Sequence, residues 1–169
     1  MFGDLQRSRI IAYSAAFIGL ISIGAWVSVP FFPVPLTLQT LFVLLAGAVM
    51  KRYAIIPVSL YVILGALGLP VFHTGATGFG ILLGPTGGYL AGFVFAAFVV
   101  GLFYERESST MKITGLVAGT GIIYVCGISW LMYSLSVGFF PAIISGVLPF
   151  LPGDLMKGYA VYKIAGRLP

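Results

Sequence analysis

Apolar residues in this chain run in long, nearly unbroken stretches. They lack both the alternation of half-buried strands and the narrow stripe of soluble amphipathic helices. Five such stretches stand out by length and flanks: residues 10–29, 36–50, 54–69, 89–104 and 113–135. A helix needs about 20 apolar residues to cross a bilayer, so the second and third are expected to sit shallow or to be extended by their flanks. The remainder, residues 139–167, is apolar but interrupted by Pro149, Pro152 and Gly153, with Asp154 and Lys157 just beyond. It cannot be one regular lipid-facing helix. The pattern predicts a short re-entrant or interfacial segment near residues 142–150 and a last helix starting around Pro152, where proline suits a first turn. The expected architecture is an all-α integral membrane protein. It is a six-helix transmembrane bundle forming a single domain over residues 1–169, with a folded glycine-rich outer loop and a proline-broken last span.

Composition strengthens this picture, since 60% of the 169 residues are hydrophobic, 8% are charged and the mean hydropathy is +1.11. A water-soluble fold of that make-up is improbable. The net charge of +5 would suggest nucleic acid in a soluble protein, but here it reports basic loops, and no nucleic-acid partner is expected. Arg7 and Arg9 precede the first stretch, Lys51 and Arg52 follow the second, Arg106 and Lys112 follow the fourth, and Lys163 and Arg167 close the chain. The opposite loops, residues 30–35, 70–88 and 136–141, contain no Lys or Arg. With six crossings all these basic residues share one side, which places both termini in the cytoplasm. The first stretch is too long for the apolar core of a signal peptide and is read as retained. Cys126 lies in an apolar run and is read as a packing residue, so no disulfide or cysteine metal site is expected. The polar loop 105–112 reads as a solvated connector in which Glu105 and Glu107 have no evident partner.

Candidate chemistry concentrates in two places. Residues 68–90 read GLPVFHTGATGFGILLGPTGGYL, a loop with six glycines between positions 75 and 88. Val71, Phe72, Phe79 and the run 81–83 would be poorly tolerated by water in an extended linker, which favours a folded cap over a pocket against a flexible connection. No lysine follows a glycine, so a phosphate-binding loop is absent. His73 is the only histidine; a metal site or catalytic pair would need partners that this face does not supply. Ser129, Ser134 and Ser136 lack glycine-flanked turns, which argues against intramembrane serine hydrolysis. No catalytic residue and no metal ligand is assigned, and the chain is not expected to be an enzyme.

The second place is PGDLMK, residues 152–157, where Asp154 and Lys157 share a helical face. A charge at membrane depth costs roughly 2.5 to 3.5 kcal/mol on insertion scales. The plain alternative is a mutual ion pair near the interface that lets the helix start there. The functional reading is that both line a cavity, Lys157 and the helix start favouring an anion and Asp154 accepting N–H donors. A ligand with a carboxylate at one end and ring N–H groups at the other would satisfy both. Gln39, with Thr37 and Thr40, adds neutral polar groups to the second span, for a ligand or for bonds between helices.

The stretches VPLTLQTLFVLLAG, LGALGLPVF, GILLGPTGGYLAGF and LPGDLMK, in this order across residues 34–157, resemble the BioY family. Its members are biotin-specific substrate-binding subunits of energy-coupling factor (ECF) transporters. The pairing of GPTGGY with PGDxxK is more specific than either motif alone. The resemblance implies a six-helix subunit of the prokaryotic cell membrane that binds biotin from outside with high affinity. It also implies partners, a membrane coupling protein and two ABC-type ATPases, with no cofactor beyond the transported ligand. Carried over by motif, Asp154 and Lys157 become ligand contacts, and Gly84, Thr86, Gly87, Gly88 and Tyr89 shape the pocket. Gln39 adds a polar contact, and Phe72 and Phe79 serve as covers. Ala12 and Ala16, four residues apart on the first helix, would present a small-residue face to the coupling protein, with ordinary packing as the alternative. The short second span and the lone loop histidine depart from the pattern without displacing it. Competing functions are a solitary biotin carrier, a membrane enzyme and a structural subunit.

The charge distribution makes a topological prediction. With Cys126 replaced, Ser109→Cys should be labelled by an impermeant thiol reagent only from inside and Thr77→Cys only from outside; labelling of position 109 from outside would overturn the arrangement.

Overall fold

A computed structural model of the chain describes residues 2–168. Its helices are α1 (Phe2–Trp26), α2 (Gln39–Met50), α3 (Ile55–Ala66), α4 (Phe79–Leu83), α5 (Gly87–Tyr104), α6 (Ser109–Leu135), α7 (Phe139–Gly146) and α8 (Leu151–Ala165). Short 3₁₀ turns occupy Lys51–Ala54 and His73–Gly75. The all-helical expectation needs one correction. Strands β1 (Ser28–Val29) and β2 (Leu36–Thr37) form an antiparallel ladder, Ser28 opposite Thr37 and Val29 opposite Leu36. Prolines at 30, 33 and 35 prevent helix across this loop, and its flanks pair instead.

By length and hydropathy, Leu5–Trp26, the run Gln39–Ala66, Gly87–Tyr104 and Ser109–Leu135 can each cross a membrane. The pair Phe139–Gly146 and Leu151–Ala165, bent by 54°, is apolar and long enough together for a fifth, broken span or a re-entrant loop. Length alone therefore does not return six crossings among the described residues. The run Gln39–Ala66, however, is not straight. Gln39 Nε2 donates to the Tyr61 hydroxyl across 2.6 Å although 22 residues separate them, whereas one continuous helix would hold them about 33 Å apart. α2 and α3 thus fold back on each other. The reversal occurs at Lys51, whose φ is 56°, and it lies directly on α5: any side chain at Gly101 would collide with the Lys51 carbonyl. Trp26 Nε1 donates to the Pro70 carbonyl (3.1 Å), and Leu38 N donates to the Gly24 carbonyl (3.0 Å). The ends of α1 and α3 and the start of α2 therefore meet on one face.

The loop expectation at residues 105–112 also changes. Glu105 accepts two hydrogen bonds from Arg52, at 2.6 and 2.8 Å, because the 3₁₀ turn and the end of α5 emerge together. The Arg52 hydrogen bond, reinforced by its charge, holds the Glu105 carboxyl below its ordinary pKa. The pair is exposed and contributes little to stability.

α5 and α6 share the most extensive helix contact. In lipid, helices gain little from hydrophobic contact and rely on small residues that let backbones approach. Gly92 sits over Ile123 and Cys126, Gly119 over Val100, and Gly127 under the Tyr89 ring. A side chain at Gly88 would strike Trp130 and the Cys126 carbonyl. Cys126 is a packing element of this seam. Gly88→Ala is therefore expected to cost about 1 to 3 kcal/mol by overpacking, read as a lowered Tm of the purified protein. Gly19→Ala, with nothing within 4 Å, should leave Tm unchanged; equal melting of both variants would show the seam to have slack.

Candidate functional site

The site follows from two buried charges. α8 starts at Leu151 with proline in its first turn, so Asp154 and Lys157 project from its first two turns into the bundle. Asp154 is 5% exposed. Its Oδ1 accepts from Lys157 Nζ (2.8 Å) and Thr40 Oγ1 (3.1 Å), and its Oδ2 accepts from the Tyr124 hydroxyl (2.6 Å). Lys157 Nζ also donates to Thr40 Oγ1 (2.8 Å) and to the Thr37 carbonyl (2.7 Å). All three ammonium hydrogens thus have acceptors, as a charge taken out of water requires.

Beside this cluster, Gln39 is buried between the Thr37 hydroxyl, which donates to its Oε1 (3.0 Å), and the Tyr61 hydroxyl. Tyr61 in turn donates to the Val71 carbonyl (2.9 Å). That bond ties the glycine-rich loop to the bundle. Phe72 lies edge-on to Tyr61, with ring centroids 5.6 Å apart, and covers Gly65, where a side chain would strike its ring. Gly78 N donates to the Gly65 carbonyl (2.7 Å). These contacts fold the first half of the loop over the helices.

Between the loop and the polar cluster lies a cavity with about 540 Å³ of empty space, counting its open side. Asp154, Lys157, Gln39 and Thr40 supply its polar wall. Phe72, Tyr89, Phe93, Ile123 and Phe150 supply its apolar wall, and Thr86 and His73 also line it. The Tyr89 ring stacks on Phe150, centroids 6.4 Å apart, and its hydroxyl donates to the Gly146 carbonyl (2.8 Å), fixing α7.

The structure thus brings together Asp154, Lys157, Gln39, Phe72, Thr86 and Tyr89. It places Gly84, Gly87 and Gly88 behind the wall instead. The Gly84 carbonyl accepts from Trp130 Nε1 (2.9 Å), and side chains at positions 87 and 88 would strike Leu82 and Trp130. Their effect on the cavity is indirect, through the seating of α5. Phe79, expected as a cover, is 64% exposed on α4 and is absent from the lining, because α4 points this ring away. Asp154 and Lys157, expected at opposite ends of a ligand, are 2.8 Å apart and form one polar unit. Tyr124 and Tyr61 were missed by sequence reasoning: each is a tyrosine in an apolar run, and only the fold reveals what its hydroxyl meets. Ala12 and Ala16 lie far from the cavity on the exposed face of α1, with Ala15 and Gly19.

An apolar helical bundle with a loop-covered cavity, floored by a cluster of opposite charges, is the arrangement of a membrane protein whose cavity suits a small polar-headed molecule. Comparison with known proteins is consistent with that class. The BioY family model matches residues 3–169. The biotin transporter BioY of Thermotoga maritima is 44% identical over 162 residues, covering 95% of each chain. The probable biotin transporter BioY of Pyrococcus horikoshii is 40% identical, covering 96% of this chain and 98% of its own. The crystal structure of the S-component for biotin from an ECF-type ABC transporter superposes with a TM-score of 0.87. It is 28% identical and covers 96% of this chain and 91% of that one. The chain belongs to the BioY family. It is a multi-pass membrane transport protein and not an enzyme.

His73 makes the loop sensitive to acid. Burial lowers its pKa from the ordinary 6.5. Well above pH 6.5 the ring is neutral whether the loop is packed or open, and no pH dependence arises. As pH falls through that value the open loop binds the proton first, so packing is weakened until the lowered pKa is passed. Amide exchange over residues 70–78, corrected for intrinsic rates, should be faster at about pH 5.5 than at about pH 7.5. His73→Gln should abolish the difference, and a pH-independent wild type would contradict the prediction.

Proposed function

We propose that this chain is the biotin-binding S subunit of an ECF-type importer. It captures biotin from outside with high affinity and passes it inward with energy from a membrane coupling protein and two ABC-type ATPases. The observation that carries the reading is the Asp154–Lys157 unit, 2.8 Å across, facing an otherwise apolar cavity. A cyclic urea offers N–H donors beside a carbonyl acceptor, which suits a carboxylate and an ammonium side by side. Biotin's ureido ring therefore meets both residues. The walls of Phe72, Tyr89 and Phe93 receive its thiophane ring and valeryl chain, and the carboxylate lies away from Lys157. The names of the similar proteins support the same ligand.

The fold-back of α2 on α3 supports six crossings, and the basic loops on one side support cytoplasmic termini. A solitary carrier is the weaker alternative, since the solved relative belongs to an ABC transporter. The exposure of Ala12 and Ala16 on α1 supports their use in docking the coupling protein.

Two experiments test the reading. Asp154→Asn and Lys157→Met should each weaken biotin binding by roughly 1 to 3 kcal/mol or more in isothermal titration, each leaving a buried partner unpaired. Biotin amide should bind nearly as well as biotin to the wild type. Unaltered affinity in both variants would remove biotin from this cavity. In the second experiment, leucine or tryptophan at both Ala12 and Ala16 should spare biotin binding while reducing copurification of the coupling module and uptake in cells. Undiminished uptake would return these alanines to ordinary packing.

A further inference from the structure

A second recess opens between α6 and α8, on the side away from the loop-covered cavity. It holds about 1170 Å³ of empty space, counting its open side. α8 leans on α2 and touches α6 little, and two glycines widen the gap. Gly121 on α6 and Gly158 on α8 both line the recess, and a side chain on either would meet nothing within 4 Å. Val117, Leu155 and Tyr159, at 67, 73 and 66% exposure, form its apolar rims. Its floor includes Tyr124 and Asp154, which also bound the biotin cavity. One hydrogen-bonded pair is thus the partition between two spaces.

Charge marks one end of this recess. The Tyr124–Asp154 bond sets the level at which α6 and α8 meet, and from there α6 runs back to Ile113 and α8 runs on to Tyr162. Lys112 precedes Ile113 and sits 5.9 Å from the Tyr104 ring centroid. Lys163 follows Tyr162 and sits 5.5 Å from the ring centroid of Tyr159. Among the described residues, no carboxylate lies within ion-pair distance of either lysine. The arrangement is an apolar furrow with two cations near one end that pair with no carboxylate among the described residues, complementary to a molecule with a long apolar tail and a single negative head. Basic pockets between membrane helices bind anionic lipid head groups on these grounds.

We propose that this recess is a binding site for one anionic phospholipid. Its phosphodiester lies between Lys112 and Lys163, and one acyl chain fills the furrow past Gly121 and Gly158 toward the Tyr124–Asp154 partition. The lipid then closes the membrane side of the carboxylate that the biotin cavity uses from the other side. The site needs neither biotin nor the coupling module, so its failure and that of the proposed function are separable.

Native mass spectrometry of the delipidated, purified subunit tests this, with phosphatidylglycerol and phosphatidylcholine of identical chains as probes. The wild type should retain one phosphatidylglycerol with roughly thirtyfold preference over phosphatidylcholine, the order expected from two lysines near a membrane surface. Lys112→Gln with Lys163→Gln should abolish the preference. Gly121→Leu with Gly158→Leu, which fills the furrow and leaves the lysines, should reduce retention of both lipids. Thermal melting checks that each variant folds, and the lysine variant, altered only at the end of the recess, keeps the test decisive if the glycine variant does not. Equal retention of the two lipids by the wild type, or undiminished preference in the lysine variant, overturns the proposal. Such a result would assign the furrow to neutral lipid or to a partner helix.

Discussion

A carboxylate and an ammonium held 2.8 Å apart inside a bundle of apolar helices set the terms for much of this molecule. Taking two charges out of water costs several kcal/mol each unless their remaining lone pairs and hydrogens find partners. Here the partners come from three further elements: Thr37 from β2, Thr40 from α2 and Tyr124 from α6. The proline-broken start of α8 delivers the pair, the folding back of α3 on α2 braces Gln39 through Tyr61, and the glycine seam between α5 and α6 fixes the level of Tyr124. Disturbing any of these elements loosens the same cluster.

How much was legible beforehand depended on how far apart in the chain the interacting groups lie. Asp154 and Lys157, three residues apart on one helix, were visible as a unit, and so were the apolar stretches, the basic loops and the helix start at the prolines. The ladder of β1 and β2 was hidden behind an apolar run that reads as helix. Arg52 and Glu105, 53 residues apart, and Tyr124 and Asp154, 30 apart, could be paired only by the fold. Phe79 shows the converse failure. Its hydrophobicity was read as a reason to be inside, but the ring stands 64% exposed on α4. The glycines at 84, 87 and 88 were read as shaping the pocket, whereas the structure sets them outside its lining, against Leu82 and Trp130.

Opposite charges on successive turns of a helix invite the thought of two ends of a ligand, and the 2.8 Å between them supports instead the proposal that they meet one functional group together. The apolar wall is then left to supply contact area, and orientation comes from the polar floor.

Because Lys157 has an acceptor for each of its three hydrogens and Asp154 has donors on both oxygens, the proposed capture of a ligand at this cluster would be an exchange of hydrogen bonds. The gain comes from matching them one for one, so an analogue lacking a single N–H loses more than its size suggests. A cation entering the cavity would likewise meet no uncompensated carboxylate on which to rest.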